Sequence, residues 1–301
     1  LGVEIKLYSF DRSITEEQKK IIEDEVSYFQ QTIGQLQKLF NEANSKFIER
    51  NELARDLNIR LVSTSRDEDR AMLASDEAVA RGLSGMKLDE RKSLAELIHN
   101  PYFGRIVVRE DFEDGTEKIF NYAIGKHSNL DCRIIDWKTS PVSKLYYDYK
   151  QGDYYTDIVQ NKDRNGLILL KRRVKIRDGK LLSVSSPEGD FYLEDNVWKL
   201  GITKSGKRIP DRVEDLYGLI TKEQFELIKS ELDTPLVIQG VAGSGKTTVA
   251  CFRLAQLCLS VERDSEQSEP IFIVKSDTLS GYVKRILNAL GCPNIKVETY
   301  S

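Results

Sequence analysis

The stretch Pro235-Leu-Val-Ile-Gln-Gly240-Val-Ala-Gly-Ser-Gly245-Lys-Thr247 joins an apolar run to a glycine-rich segment. Its second half fits the pattern G-x-x-x-x-G-K-[ST], and apolar periodicity predicts a helix from Lys246 to Ser260. Glycines let such a loop wrap its backbone N–H groups around phosphate, and the helix N-terminus adds a positive dipole. We therefore predict a buried strand over Leu236 to Gln239 that leads into a phosphate-binding loop.

The side chains of this loop indicate a nucleoside triphosphate as the ligand. Lys246 is expected to reach the β- and γ-phosphates, and the Thr247 hydroxyl to help hold the accompanying Mg²⁺, which makes these two residues the catalytic candidates. The loop residues predicted to bind ATP or GTP are Gly240, Val241, Ala242, Gly243, Ser244, Gly245, Lys246, Thr247 and Thr248.

From residue 211 onward, predicted helices and strands alternate. Beyond the loop segment, helices are predicted over Thr221 to Glu231 and Asp277 to Leu290, and strands over Ile271 to Val274 and Ile295 to Thr299. Such alternation implies a parallel sheet. The stretch Ser205 to Pro210 is the predicted linker to this part.

Residues 1–99 are predicted to form an antiparallel helical hairpin. Ser13 or Thr15 can cap a first helix that reaches Asn58, and Arg66 to His99 is predicted to fold back on it through Met72, Val79, Leu83, Leu94 and Leu97. Steps of four and three along the first helix predict a coiled-coil seam. The seam residues are Ile22, Val26, Phe29, Ile33, Leu36, Phe40, Ala43 and Phe47.

The predicted hairpin tip, Leu61 to Asp69, contains Asp67, Glu68 and Asp69. Two interpretations stay open. The acids belong to a solvated turn at a helix start, or they form a tip that reaches into a partner or its metal site.

Residues 100–210 are predicted to be rich in β-strands. Strands are expected at Arg105 to Arg109, Ile119 to Ile124 and Cys132 to Trp137, and Asp178-Gly179 indicates a tight hairpin between Leu167–Ile176 and Lys180–Val184. The period of two places Lys171, Arg173, Lys175 and Arg177 on one strand face. This stripe is either a solvent face or a docking surface for phosphates or an acidic protein.

Composition narrows the class of protein. The net charge is −3, so the chain has no general basic surplus for gripping nucleic acid. No apolar run approaches the ~20 residues that cross a bilayer, which predicts a cytoplasmic protein with no membrane partner. The cysteines at 132, 251, 258 and 292 lack metal-ligand spacing, and we expect reduced thiols.

Residues around the loop carry a resemblance. Ile220-Thr-Lys-Glu-Gln224, the loop itself and Arg253-Leu-Ala255 resemble the start of superfamily 1 helicases of the UvrD type. The resemblance implies that Gln224 reads the adenine edge, that Arg253 lies beside the base, and that the nucleotide is ATP. It also implies that residues 211–301 are the first part of a RecA-like P-loop domain.

Residues upstream of the loop point to a more specific family. Tyr102-Phe-Gly-Arg-Ile106, Tyr122-Ala-Ile-Gly125, Ile135-Asp-Trp137 and Tyr146-Tyr147 resemble the HelD family of helicase-like motors. That family implies a helical hairpin inserted into bacterial RNA polymerase and an ATP cycle that releases the polymerase from nucleic acid. The whole chain is then a multi-domain α+β protein with a helical hairpin, a β-rich middle and a RecA-like start.

Two other functions stay open. A DNA helicase or translocase in repair shares the motor but requires a basic, aromatic-lined groove for a DNA strand. A scaffold with a vestigial loop is a third possibility, and the intact Lys246 and Thr247 argue against it.

The two strands predicted after the loop end at Val274-Lys275 and at Thr299-Tyr300, without the acidic pair that such motors use for Mg²⁺ and water activation. We therefore expect the purified chain to bind ATP weakly and to hydrolyse it at no useful rate. Phosphate release under steady-state conditions measures this, and turnover that Lys246→Ala abolishes would contradict it.

Overall fold

The computed structural model describes residues 8–64, 66–112, 114–138, 140–159, 162–201, 213–230, 235–261 and 270–300. They form a pair of long helices, a large mixed sheet and a group of shorter helices and strands that includes the glycine-rich loop. The predicted linker, Ser205 to Pro210, lies outside the described residues. The domain boundaries at 99 and 210 therefore stay predictions.

The first helix, α1 (Glu16–Ser63), begins at one of its two predicted caps. Thr15 accepts a hydrogen bond from the Gln18 backbone N–H, and Gln18 Oε1 accepts one from the Thr15 backbone N–H, which is a complete capping box. Glu16 and Glu17 in the first turn favour the same start through the helix dipole. At its other end α1 runs past the predicted end at Asn58.

The second helix, α2 (Asp67–His99), starts almost directly after α1. The connection is therefore shorter than the predicted tip from Leu61 to Asp69. The three acidic residues at positions 67 to 69 lie in the first turn of α2, where carboxylates suit the positive end of the helix dipole. This position agrees with the interpretation as helix-start acids.

The two helices are unequal, and α2 runs along the second part of α1. At 1.5 Å per residue, the 48 residues of α1 span about 72 Å and the 33 residues of α2 about 50 Å. Arg91 on α2 donates from Nη1 to Asn44 Oδ1 over 3.1 Å and stacks over the Phe47 ring. These contacts confirm the helical pair. We call the part of this pair that follows residue 44 of α1 the arm.

Packing within the arm differs from the predicted fold-back. Met72, Val79 and Leu83 are exposed on α2, whereas Leu94 and Leu97 are buried as predicted. Ala54, Ala80 and Ser84 are buried in the arm instead. Small side chains at such positions let two helices approach closely, which leaves the larger apolar residues on the outside.

The described residues also form a mixed sheet of nine strands, one of which precedes the helical pair and eight of which follow it. Its order is β1-β9-β8-β7-β6-β2-β3-β4, with β5 paired to the first part of the long β6. Neighbours are antiparallel except for β1 with β9 and β3 with β4. The strands are β1 (Ser9–Phe10), β2 (Gly104–Asp111), β3 (Glu117–Gly125), β4 (Ile134–Asp136), β5 (Tyr154–Val159), β6 (Lys162–Arg177), β7 (Lys180–Ser186), β8 (Gly189–Glu194) and β9 (Val197–Leu200).

The predicted hairpin at Asp178-Gly179 is confirmed. Both residues have positive φ, 51° and 68°, as a tight turn between β6 and β7 requires. The prediction missed a helix, α3 (Pro141–Asp148), which Ser140 caps by accepting a hydrogen bond from Val142 N–H.

The last part of the chain contains a 3₁₀ helix (Val213–Leu219), α4 (Lys222–Lys229), α5 (Lys246–Val261), β10 (Ile271–Val274), α6 (Asp277–Ala289) and β11 (Lys296–Thr299). The parallel pairing of β10 with β11 agrees with the predicted parallel sheet.

The predicted buried strand over Leu236 to Gln239 is wrong. These residues adopt no strand conformation, and Val237 is 91% exposed. A strand forms only where a neighbouring backbone accepts and donates its hydrogen bonds, and none of the described strands pairs with this run.

The large sheet separates two apolar cores. Successive strand residues point to opposite faces, so Ala123 and Ile134 pack with the helical pair, while Ile124 and Ile135 pack with α3 and the helices that follow it. The arm and the glycine-rich loop therefore lie on opposite sides of one sheet.

A buried ionic cluster attaches α1 to this sheet. Arg105 on β2 and Arg172 on β6 are directly opposite each other, an arrangement that destabilises a sheet through like-charge repulsion. Both guanidinium groups contact Asp24 and Glu25 of α1 at 2.6 to 3.1 Å. Tyr102 donates from its hydroxyl to the second oxygen of the fully buried Glu25.

An aromatic ring covers one side of the cluster, while Asp24 stays half-exposed at its edge. Arg105 stacks over the Tyr28 ring with its central carbon 4.0 Å from the ring centre. Burial, together with the neighbouring Glu25, raises the pKa of Tyr102 well above its ordinary value, so this hydroxyl stays a donor. The arrangement places α1 at one position on the sheet.

Within the described ranges, no helix combines the length and the apolar composition that a membrane span requires.

We predict that Glu25→Gln lowers the free energy of unfolding by roughly 3 kcal/mol, because it leaves two buried arginines without their buried carboxylate. Urea denaturation followed by circular dichroism measures the change. The matched control is Glu298→Gln, which removes an exposed pair with Lys296 and should cost less than about 0.5 kcal/mol. Equal losses in the two variants would contradict the proposed role of the cluster.

Candidate functional site

The glycine-rich loop turns directly into the first turn of α5, which begins at Lys246. Gly243 and Gly245 have φ of 83° and 80°, a backbone region that residues with a Cβ rarely adopt. The first backbone N–H groups of a helix have no carbonyl partner within the helix. The loop and the start of α5 therefore offer free donors and a positive dipole end, an arrangement suited to phosphate.

Lys246 bends back over the loop. Its Nζ donates to the backbone carbonyls of Gly240 and Val241, each over 2.8 Å. An ammonium with three donors, held by two neutral carbonyls, exchanges readily to an anionic oxygen, because charge-assisted hydrogen bonds are the stronger ones.

Gln224, which the family resemblance places at the nucleotide, lies against this loop. It is the third residue of α4, where its Oε1 accepts from the Thr221 N–H, and its Nε2 donates to the Ser244 carbonyl over 3.1 Å. A Cβ at Gly245 would lie 2.7 Å from Gln224 Nε2. The loop thus needs glycine at position 245 for the approach of Gln224 as well as for its φ.

Gln224 and the loop border a cavity of about 610 Å³. This volume is in the range of pockets that hold small-molecule ligands. Of the predicted binding residues, the structure brings together Gln224, Gly240, Gly243, Ser244, Gly245, Lys246 and Thr248 around this cavity.

Arg253, which was also predicted to lie at the nucleotide, forms hydrogen bonds with the C-terminal end of α4. Its Nη1 donates to the carbonyl oxygens of Leu227 and Ser230, over 2.9 and 3.0 Å, and to the Ser230 hydroxyl. These carbonyls close the C-terminal end of α4, whose first turn holds Gln224. In the structure Arg253 therefore positions the helix that carries Gln224.

An aromatic cluster connects the loop helices to the sheet, and the sequence did not predict it. Trp137 and Tyr217 each contact the Phe252 ring of α5 edge to face at 5.1 Å. Tyr147 stacks on Phe225 of α4 at 4.3 Å and donates from its hydroxyl to the Tyr217 carbonyl. The sequence analysis singled out the segments around Trp137 and Tyr147 but did not predict this cluster, because their aromatic partners are far away in the chain.

The predicted stripe of cations is only partly a solvent face. Lys171 and Arg173 line a second cavity, while Arg172 points to the opposite side of β6 into the ionic cluster. All four residues of the stripe are half-buried.

No group of three or more His, Cys, Asp or Glu side chains suited to a metal occurs among the residues that the structure describes. The cysteines are free thiols, and burial raises the pKa of Cys251 to about 12 and that of Cys132 to about 11. Both thiols are therefore protonated and unreactive at neutral pH.

The fold and the site together define a protein with a helical arm on one side of a mixed sheet and a phosphate-binding type of loop on the other. The family model described as DNA helicase IV HelD, N-terminal domain, matches residues 22–188, which is more than half of the chain. The chain belongs to this helicase family. No curated protein matches it.

We predict that Gly245→Ala destabilises the loop by about 1–2 kcal/mol, because alanine is strained at this φ and its Cβ would collide with Gln224. Thermal unfolding and limited proteolysis after the loop measure the loss.

The matched control is Gly281→Ala in α6, where the new Cβ meets no atom within 4 Å. This change should be neutral or stabilise the protein by up to about 1 kcal/mol, because alanine favours a helix. A neutral Gly245→Ala would show that the loop does not depend on this conformation.

Proposed function

We propose that this chain is the N-terminal part of an ATP-dependent superfamily 1 helicase-like motor that binds bacterial RNA polymerase and releases it from nucleic acid. The arm engages the polymerase, and ATP bound at the glycine-rich loop drives the release. The protein then works in the bacterial cytoplasm. The observation that carries the proposal is a projecting arm with apolar side chains on its outside, built on the same sheet as the loop.

The arm has the surface of a binding element. Val62 is 78% exposed and Met72 is 70% exposed, and both lie close to the connection between α1 and α2. Ile48, Ile59, Val79 and Met86 continue this exposed apolar surface along the arm. Clustered exposed apolar side chains commonly mark a site of protein interaction.

The loop supports the motor part of the proposal. Lys246 would leave the carbonyls of Gly240 and Val241 for the β- and γ-phosphates, and Thr247 would contribute its hydroxyl to Mg²⁺. Gln224, already at the cavity, would turn its amide to the adenine edge. ATP supplies the phosphoanhydride bond whose hydrolysis drives the cycle.

A RecA-like arrangement around the loop is part of the same proposal. In the parallel pair of β10 and β11, α6 forms the connection, which is the βαβ unit on which such domains are built.

The alternative is an ATP-dependent DNA helicase or translocase of the UvrD type that acts in repair. The family description, which names a DNA helicase, favours it. The net charge of −3 argues against a large phosphate-gripping surface on this chain.

The test is co-migration of the chain with bacterial core RNA polymerase on a sizing column, at moderate salt and without nucleotide. We expect a stable complex. Val62→Glu with Met72→Glu should weaken it at least about tenfold, because two charges would be desolvated at an apolar contact.

Leu130→Glu is the matched control, since Leu130 is an equally exposed apolar residue outside the arm. It should leave the complex unchanged. If no complex forms and the chain binds single-stranded DNA with an affinity that falls steeply with salt, the DNA translocase is the better function.

A further inference from the structure

The second cavity, of about 500 Å³, is distinct from the one at the glycine-rich loop, although Ile220 and Thr221 line both. It lies between β6, the end of α3 and the start of α4. Four positive side chains surround it: Lys150, Lys171, Arg173 and Lys222. We call it the basic cavity.

Within the described part of the chain, none of these four cations forms an ion pair with a carboxylate. Lys171 Nζ donates to the Tyr149 carbonyl over 2.7 Å, which uses one of its three N–H donors. Arg173 donates from Nη2 to the Ser185 hydroxyl over 3.3 Å and keeps its other donors. No carboxylate of the described residues lines the cavity, and Asp148 and Asp153 lie near Lys171 without pairing with it, so positive charge and free donors are in excess there.

Lys171 is held in an environment that is unfavourable for an isolated ammonium. Burial, with a smaller contribution from the nearby Lys150, lowers its pKa to about 8, although Asp148 and Asp153 act in the opposite direction. A partly desolvated cation gains free energy when an anion arrives, since the anion replaces the water that burial removed.

The side chain of Arg173 packs against the backbone of the 3₁₀ helix. A Cβ at Gly218 of the 3₁₀ helix would lie 3.1 Å from both Cγ and Cδ of Arg173, so the arginine stem packs closely on that backbone. A stem that is fixed before binding loses little conformational freedom on binding, which favours affinity.

We propose that the basic cavity binds a small ligand that carries a chain of phosphate groups. Four cations around one cavity of this size match several closely spaced negative charges. A nucleic-acid strand presents one charge per nucleotide and would leave most of these donors unused. This proposal does not depend on the function proposed for the arm and the loop.

The test uses inorganic tripolyphosphate as the probe and isothermal titration calorimetry on the whole chain. Because the glycine-rich loop also suits phosphate, the measurement is made in the Lys246→Ala background as well as in the natural sequence. Binding should persist in that background. Lys171→Gln and Arg173→Gln should each weaken it roughly tenfold or more, the value of one charged hydrogen bond.

Two further variants make the result specific. Lys175→Gln is the matched control, because Lys175 lies on the same strand face but does not line the cavity, and it should leave binding unchanged. Lys222→Gln changes an exposed residue at the start of α4, so a loss of binding there reflects the cavity rather than misfolding.

The affinity should also depend on pH through Lys171. The charged and titratable groups around it are Tyr146, Asp148, Lys150, Asp153, Arg173 and Lys222. Protonated Lys171 favours the anion, so the affinity ratio of the natural sequence to Lys171→Gln should fall from roughly tenfold at pH 7 to roughly twofold at pH 9. Taking the ratio cancels the titration of the probe itself.

Three results would overturn the proposal. One is loss of all binding in Lys246→Ala, which would assign the probe to the glycine-rich loop. Another is an equal loss in Lys175→Gln, which would indicate only general surface charge. The third is tighter binding of a single-stranded oligonucleotide with the same dependence on Lys171 and Arg173, which would assign the cavity to nucleic acid.

Discussion

Two arginines that face each other across adjacent strands constrain where the first long helix can lie on the sheet. Arg105 and Arg172 repel each other, and the sheet tolerates them only because Asp24 and Glu25 of α1 lie between their guanidinium groups. Removing two charges from water is costly unless geometry and hydrogen bonds compensate. The compensation here requires Asp24 and Glu25 to face the two arginines, so charge neutralisation, together with apolar packing, positions α1 on the sheet.

The opposite face of the sheet is held by aromatic contacts. Rings from the strands, from α3 and from the 3₁₀ helix pack against α4 and α5, the two helices that position Gln224 and the glycine-rich loop. One sheet thus connects the arm to the loop through continuous packing. A motor of the proposed kind needs such a connection, because a change at the nucleotide has to reach the partner-binding element through contacts that do not deform freely.

Much of this architecture was predictable from neighbours in the chain. The turn at Asp178-Gly179 and the glycines of the loop depend on residues a few positions apart and were found where they were predicted, and the helix cap is Thr15, one of its two predicted candidates. Strands β1, β5, β8 and β9 and helix α3 escaped prediction, because short elements carry weak periodic signals. The run at 236–239 has the apolar composition of a strand but has no paired neighbour, and composition cannot supply a hydrogen-bond partner.

The helical pair, the β-rich region, the loop and the candidate Lys246 could be predicted from the amino-acid sequence alone, because each rests on local backbone conformation or on a short motif. Gln224 was a candidate through the family resemblance. Contacts between residues that are far apart in the chain became visible only in the three-dimensional structure. It joined Arg172 to Glu25 across 147 positions, placed Arg253 under α4, and gathered the cations of the basic cavity from three separate segments. Such contacts depend on how whole elements pack, and no local pattern records which charged side chains will be buried together.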